Sequence, residues 1–188
     1  MRKLFWTGLL LLLTSPAFAN TAEPVDQELR TALIKAVNES DSFVDRYDAE
    51  VWLVDMSNRL AKKIPDPNKR IQLLKQVHYE ASRAKLIPEL VLAVIEVESN
   101  FNRYAISRAG AMGLMQVMPF WLKEIGRPGD NLFNLHTNLR MGCTILRYYL
   151  KKEKGDLTEA LMRYNGSSGS FRYTNRVFNK LDHHWRRR

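Results

Sequence analysis

Residues 88–98 read PELVLAVIEVE, and this stretch decides the fold. Seven apolar residues, at positions 90–95 and 97, surround any helix built from it, and a helix that is apolar all round is normally buried. Pro88 suits the first turn of such a helix, where its missing N–H would have no helical partner in any case. The stretch therefore predicts a central buried helix that other elements of the chain must cover.

Apolar residues at helical spacing occur on both sides of this segment. They predict further helices at residues 26–38, 44–64, 68–85, 136–154, 157–164 and 171–181. Residues 112–125 also have a helical pattern, which Gly113 and Pro119 weaken. No segment alternates strongly as a strand does. The predicted fold class is therefore all-α, with a short hairpin or irregular excursion allowed in residues 99–111.

The first 19 residues have the features of a secretory signal peptide. Arg2 and Lys3 form a positive start, a leucine-rich run follows, and residues 17–19 have the small-x-small form of a cleavage site. A membrane anchor is the alternative, but the apolar run is shorter than the roughly 20 residues that a spanning helix needs. We therefore expect an exported protein, cleaved after Ala19 and located in the periplasm.

Charge is distributed unevenly along the 188 residues, which carry a net charge of +9. Residues 20–60 contain nine acidic and four basic side chains, a balance of −5, whereas residues 61–188 contain 23 basic and 11 acidic ones, a balance of +12. A basic domain suits a polyanionic partner such as nucleic acid, a membrane surface or an acidic cell wall. Export argues against nucleic acid.

Pro65 and Pro67 interrupt the helical pattern where the charge changes sign, and they mark the best domain boundary. The predicted domains are a signal peptide at residues 1–19, an acidic helical N-terminal extension at 20–66, a basic domain at 67–185 and a basic tail at 186–188.

Glu98 is the strongest candidate for a chemical role. It falls at the C-terminal end of the buried helix, where the helix dipole and partial burial both disfavour a carboxylate. A raised pKa is what a general acid near neutral pH requires. The alternative is a solvated glutamate at a helix end. Glu96 lies two residues away and therefore points to a different face.

Other chemistries lack support in the sequence. Ordinary glycosidases use two carboxylates, but the nearest acids after Glu98, Glu124 and Asp130, have no compelling context. Ser99 and Ser107 lack a His–Asp pattern, and Cys143, the single cysteine, is typical of a buried apolar residue. The four histidines, His78, His136, His183 and His184, do not have the spacing of metal ligands. We therefore expect neither a metal nor a cofactor.

The residues after Glu98 suit a sugar. The side chains that could form hydrogen bonds to sugar hydroxyls are Asn100, Asn102, Ser107 and Gln116. Apolar side chains that could offer flat or soft surface are Met112, Met115, Met118, Phe120 and Trp121. Tyr164, Asn165 and Tyr173 follow later in the chain. Methionines at helical spacing are more typical of a core, so each of these signals is weak alone.

Together these residues resemble a known family. The chain resembles the family 1 lytic transglycosylases, the soluble-lytic-transglycosylase-like enzymes of glycoside hydrolase family 23. The residues similar to the family's signature are Glu98-Ser99-Asn100-Phe101, Ala105, Ser107, Gly110-Ala111 and Gly113-Leu114-Met115-Gln116. The chain also resembles the later motifs of the family, at Ala160-Leu161, Tyr164-Asn165-Gly166, Tyr173 and Val177. The likeness extends over residues 85–182.

The resemblance implies a lysozyme-like α fold of the goose type, preceded by the N-terminal helical extension, with residues 67–185 as the catalytic domain. It implies cleavage of the β-1,4 bond between N-acetylmuramic acid and N-acetylglucosamine in peptidoglycan. The product would be a 1,6-anhydromuramoyl end, because the C6 hydroxyl of the substrate attacks the anomeric carbon. Glu98 would act first as acid and then as base, which accounts for the missing second carboxylate.

The resemblance also implies roles for other residues. Ser107 and Gln116 would contact the sugar next to the cleaved bond, Met115 would shape the site, and Tyr164 would support the reaction near Glu98. Asn165 and Tyr173 complete the implied substrate-binding set. The third motif departs from the common Ala-Tyr-Asn-Ala-Gly, because here it reads Arg163-Tyr164-Asn165-Gly166-Ser167. Arg163 would then alter the charge preference for substrate or simply face solvent.

Two alternatives stay open. One is a hydrolytic goose-type lysozyme on the same fold, which would deliver water in place of the C6 hydroxyl. The other is a non-catalytic glycan-binding or secretion-assembly protein. Peptidoglycan strands are the expected partner in the first case, and a secretion or cell-envelope machine is a further candidate.

Overall fold

The structure is a computed structural model that describes residues 46–167 and 169–186. Within these ranges the chain forms α-helices and one π-helical turn, which confirms the all-α prediction for the described part. In chain order they are α1 Arg46–Leu60, α2 Pro67–Arg83, α3 Pro88–Ser99, α4 Trp121–Ile125, α5 Leu135–Lys152, α6 Leu157–Asn165, α7 Arg172–Lys180 and the π-helical turn Leu181–Trp185. The predicted signal peptide and the predicted helix at residues 26–38 lie outside the described residues.

Helix α3 is the central element, as its sequence predicts. Residues 90–95 are at most 3% exposed, and α3 packs against α2, α7 and the π-helical turn. Each buried Val, Leu or Ile side chain contributes about 1.5–3 kcal/mol relative to an exposed one. Pro88 opens the helix, and Asn100 closes it in the left-handed conformation with φ 48°. The helix thus ends where the chain leaves the core.

Side-chain caps explain where three neighbouring helices begin. Asp66 accepts a hydrogen bond from the Lys69 backbone N–H at the start of α2, and Asn134 caps α5. Asp156 accepts from two backbone N–H groups at the start of α6. These oxygens satisfy donors that have no partner inside the helix.

The prediction of a helix over residues 112–125 is wrong for residues 112–120, because only Trp121–Ile125 is helical. Gly113 and Gln116 both have positive φ, of 79° and 49°, which a right-handed helix does not allow. Isolated bridges pair Met112 with Ile106 and with Val117. The short irregular excursion predicted for residues 99–111 is present and extends to residue 120.

Asn138 of α5 holds this excursion in place. Its Oδ1 accepts from the Met115 backbone N–H at 2.8 Å, and its Nδ2 donates to the carbonyls of Met112 and Leu132 at 2.9 and 2.8 Å. The side chain is buried, so the Met115 N–H and the Leu132 carbonyl would lose their hydrogen-bond partner without it, whereas the Met112 carbonyl also accepts from the Val117 N–H at 3.0 Å. Gly113 sits against Asn138 so closely that a Cβ there would lie 2.2 Å from its Nδ2.

Helix α1 packs on the same core. Trp52 donates its indole N–H to Glu89 at the start of α3, at 2.8 Å. Arg59 donates to the carbonyl of His184 at 2.6 Å, and Arg70 of α2 donates to Ser57 at 3.0 Å. The helix ends at Leu60, four residues before the predicted end, and the chain turns through residues 61–66 before α2. None of the helices within the described ranges combines the length and apolar composition that a membrane crossing needs.

Candidate active site

Glu98 lies in the last turn of α3 with its side chain partly buried. Burial raises the pKa of this carboxyl group above its ordinary value, as its position in the sequence predicts. The side chains of Tyr173 and Asn165 oppose that effect as hydrogen-bond donors, and the charge of Arg176 opposes it as well. A raised pKa keeps the acid form populated at higher pH, which suits proton donation.

Two adjoining cavities meet at Glu98. The larger, of about 500 Å³, lies on the side of the excursion, and the smaller, of about 320 Å³, lies on the side of α7. Both are lined by Val97, Glu98 and Arg176. We call the two cavities together the Glu98 cleft. A chain of sugar rings could therefore pass on both sides of this carboxyl group.

Ser107 and Gln116, two of the residues predicted to bind substrate, line the larger cavity. The Ser107 hydroxyl accepts from the Ala111 backbone N–H at 3.0 Å, which closes the turn that contains it. The Gln116 amide donates to the carbonyls of Gly113 and Ala105, at 2.9 and 3.2 Å. Both side chains are thus held in place by the excursion itself. Its irregular backbone is what brings them beside Glu98.

Asn165 and Tyr173 line the smaller cavity. Tyr173 is buried, and within the described residues its hydroxyl has no hydrogen-bond partner other than the Glu98 carboxylate, with which it interacts. Burial and the negative charge of Glu98 raise the pKa of Tyr173 well above its ordinary value. The hydroxyl therefore stays protonated and available as a donor.

Tyr164 and Met115 lie beneath the cleft. The Tyr164 hydroxyl donates to the Met115 carbonyl at 2.7 Å, and burial together with Glu98 raises the pKa of Tyr164. Met115 is fully buried and packs against Gly142 and Cys143. The structure thus places Met115 in the core, from which it supports the cleft through its backbone and does not line it.

Glu96 lies two residues before Glu98 on the same helix and is held very differently. Its carboxylate is 2.8 Å from each of three donors, Lys180 Nζ, His184 Nδ1 and Trp185 Nε1, and 3.3 Å from Lys63 Nζ. Against the cost of burial, Lys180, His184 and Lys63 lower the pKa of Glu96 to about 2. Glu96 is therefore ionised and fully paired at any physiological pH.

Sequence reasoning missed four basic residues of the cleft, Lys63, Arg172, Arg176 and Lys180. Arg176 and Lys180 follow Tyr173 by three and seven residues, so their helical spacing could have placed them on one face. Arg176 donates to the Val97 carbonyl at 3.3 Å, beside Glu98. Lys63 gave no local signal, because it reaches the cleft only through the packing of the segment after α1.

Several other candidates lie away from the cleft. Asn102 accepts from the Tyr104 backbone N–H in a local turn, and Arg163 pairs at the surface with Glu153 at 3.3 Å. Phe120 and Trp121 line a separate apolar cavity with Tyr148.

The described residues that line the cleft include neither a cysteine nor a histidine. Cys143 is buried, and burial raises the pKa of its thiol. Within residues 46–167 and 169–186, no group of His, Cys, Asp or Glu side chains is arranged to hold a metal ion.

Curated relatives of the chain are transglycosylases. A transglycosylase of Enterobacteria phage PRD1 is 34% identical over 98 residues, which cover 52% of this chain and 36% of the relative. The membrane-bound lytic murein transglycosylase C of Photorhabdus laumondii is 31% identical over 139 residues, covering 64% of this chain and 37% of the relative. The chain spans little more than a third of the length of these relatives.

Solved structures of larger proteins are also similar. The 70 kDa soluble lytic transglycosylase of Escherichia coli superposes with a TM-score of 0.45 at 22% identity, over 83% of this chain and 25% of that one. The lytic transglycosylase Slt of Pseudomonas aeruginosa gives a TM-score of 0.47 at 23% identity, over 77% and 26%.

The family model of the transglycosylase SLT domain matches residues 76–184, which is more than half of the chain. The match includes Glu98 and every residue that the resemblance implies in the site. It confirms the resemblance drawn from the motifs, and the chain belongs to the family of SLT transglycosylase domains.

Proposed function

We propose that this protein is a peptidoglycan lytic transglycosylase. It cleaves the β-1,4 bond between N-acetylmuramic acid and N-acetylglucosamine without water and leaves 1,6-anhydromuramoyl ends. The observation that carries the proposal is one available carboxyl group among the described lining residues, Glu98, which has a raised pKa and lies where the two cavities of the cleft meet. The names of the curated relatives support the same activity.

Among the described residues that line the cleft, Glu98 has no carboxylate available as a catalytic partner. Glu96 is the other acid among the described lining residues, and its oxygens are taken by Lys180, His184 and Trp185. A glycosidase of the ordinary kind needs a second carboxylate as nucleophile or as base for water. A reaction in which the substrate supplies its own nucleophile needs none.

The reaction then uses Glu98 twice. Protonated Glu98 donates its proton to the glycosidic oxygen as the bond from that oxygen to the anomeric carbon breaks. The C6 hydroxyl oxygen of the same muramic acid forms the new bond to the anomeric carbon, and its proton passes to the Glu98 carboxylate. The acid form is restored at the end, so the cycle consumes no water.

The neighbouring residues have complementary roles in this proposal. Ser107 and Gln116 bind the sugar beside the scissile bond, and Asn165 and Tyr173 stabilise the carboxylate form of Glu98 between the two proton transfers. Tyr164 and Met115 hold the floor of the cleft through their hydrogen bond.

The site of action is the cell envelope. The substrate lies outside the cytoplasm, and the positive start, apolar run and small-x-small site of residues 1–19 support export to the periplasm with removal of that segment. Relatives named as membrane-bound lytic murein transglycosylases support the envelope location.

Mass spectrometry of the fragments released from purified sacculi tests the proposal. Anhydromuramoyl ends are the expected product. Reducing ends would instead indicate the goose-type lysozyme reaction, in which water replaces the C6 hydroxyl. Absence of any released fragment would indicate a non-catalytic glycan-binding or assembly protein, and either of these results would overturn the proposal.

A further inference from the structure

The Glu98 cleft contains more positive than negative groups. Among the described residues that line it, the basic ones are Lys63, Arg172, Arg176 and Lys180, and the acidic ones are Glu96 and Glu98. The imbalance increases in the reactive state, because a general acid carries its proton when the substrate binds. A sugar backbone is uncharged, so an anionic substituent of the substrate is the group that these cations can bind by charge.

Lys63 provides an excess positive charge beside Glu96. The Glu96 carboxylate already accepts from Lys180, His184 and Trp185 at 2.8 Å each, whereas Lys63 is more distant at 3.3 Å. One carboxylate therefore faces two lysines. The surplus charge lies at the wall of the larger cavity, and the Lys63 side chain is 23% exposed there.

The position of Lys63 is fixed by its surroundings. Its ammonium group donates to Asn100 Oδ1, the residue that ends α3, and lies 5.9 Å from the centroid of the Phe101 ring. These contacts hold the ammonium group against the start of the excursion, because Asn100 and Phe101 follow Glu98 by two and three residues. An ammonium group held in place loses less conformational entropy when it binds a ligand than a free one does.

Lys63 lies outside the residues that the family model matches, which begin at residue 76. The segment that carries it is anchored to the family domain by the hydrogen bonds of Trp52 to Glu89 and of Arg59 to the His184 carbonyl. The segment between α1 and α2 therefore adds a group to the cleft that the family domain alone does not contain.

We propose that Lys63 and Lys180 form a carboxylate-binding subsite of the Glu98 cleft, which recognises an anionic substituent on the glycan strand. The inference rests on the proposed function, since it assumes that the cleft holds muramic acid. Two sources share this chemistry: the free lactyl carboxylate of a strand without peptides, and the carboxylates of an attached peptide.

The test measures binding separately from catalysis. Calorimetric titration of the full chain carrying Glu98→Gln compares a neutral chitin oligosaccharide with strands of equal length that alternate N-acetylglucosamine and muramic acid, either stripped of peptide or bearing it. We expect the carboxylate-bearing strands to bind about three- to tenfold more tightly than chitin, as befits a partly exposed ion pair. The preference should weaken as salt is added.

Lys63→Met in the same background should remove most of that preference, and Lys180→Met should weaken it independently. Lys62→Met is the matched control, because Lys62 is the exposed neighbour and lines neither cavity of the cleft. Lys63→Arg keeps the charge and should keep the preference, which separates loss of charge from loss of folding. Dependence on Lys63 with stripped strands identifies the lactyl carboxylate, and dependence only with peptide-bearing strands identifies the peptide.

Equal preference in the Lys63→Met and Lys62→Met proteins, for both kinds of strand, would overturn the subsite. That result would leave the release of anhydromuramoyl ends by the unaltered enzyme untouched. Conversely, a wild-type protein that releases no such ends but binds carboxylate-bearing strands through Lys63 would overturn the proposed reaction alone.

Discussion

Glu96 and Glu98 are two residues apart on one helix, but their surroundings shift their pKa values in opposite directions. Around Glu96, Lys180, His184 and Lys63 lower the pKa to about 2, although the side chain is buried. Around Glu98, burial is the larger effect and raises the pKa, because its donors and the charge of Arg176 compensate only in part. Burial alone therefore does not decide what a carboxyl group does; the supply of donors does.

The difference follows from the two faces of α3. Glu96 faces α7 and the π-helical turn, which supply Lys180, His184 and Trp185. Glu98 faces the cleft, where the same helix α7 presents Tyr173 and Arg176. One face of the helix end thus carries an ion cluster at the wall of the larger cavity, and the other carries the reactive carboxyl group.

The largest effect is expected for Glu98→Gln. It removes both the acid and the base of the proposed reaction and should lower the rate of release of anhydromuramoyl fragments by about 10²- to 10⁴-fold. Glu124→Gln is the matched control, because Glu124 is exposed and lies outside the cleft. A Glu98→Gln enzyme that releases fragments at the wild-type rate would contradict the assignment.

Glu96→Gln should instead reduce stability. Breaking a buried ion cluster by removing one partner costs about 3–5 kcal/mol, and the partial exposure of Lys63 and Lys180 reduces the expected loss to about 2 kcal/mol. Denaturant unfolding at neutral pH measures it, again with Glu124→Gln as control. An unchanged free energy of unfolding would mean that the cluster does not hold α7 to α3.

The two carboxyl groups should also affect stability in separate pH ranges on either side of the ordinary Glu value of 4.5. The lowered pKa of Glu96 stabilises the fold above 4.5, and that contribution is lost as the pH falls toward about 2. The raised pKa of Glu98 means that its ionisation, as the pH rises above 4.5, destabilises the fold.

Unfolding free energies across pH should therefore separate the variants. The deficit of Glu96→Gln relative to wild type should shrink below pH 4.5, and Glu98→Gln should become more stable than wild type above it. The gain should be smaller than the Glu96 deficit. Curves that run parallel to the wild-type curve over the whole range would show that neither pKa is shifted by folding.

The sequence predicts some parts of this comparison and not others. The apolar run of residues 90–95 and the motif that begins at Glu98 are local patterns, so the buried helix and the candidate acid can both be found from them. The pattern of residues 112–125 predicts a helix, but the positive φ of Gly113 and Gln116 breaks it within residues 112–120. That backbone is held by hydrogen bonds of Asn138 in α5 to Met115 and Met112, which lie 23 and 26 residues away in the sequence. Lys63 and the partners of Glu96 could not be found, since they come from segments more than 30 residues away.

The smallest effect is expected for Tyr173→Phe, which removes one donor that faces Glu98 and leaves the buried ring in place. Without that donor the pKa of Glu98 should rise further, because the carboxylate form loses stabilisation. The acid form would then persist to higher pH, and the alkaline limb of the kcat/KM profile should move upward by less than about one pH unit. Tyr148→Phe is the control, since Tyr148 is exposed and lies outside the cleft. A limb that moves to lower pH would mean that the Tyr173 hydroxyl stabilises the protonated form of Glu98, as an acceptor and not as a donor.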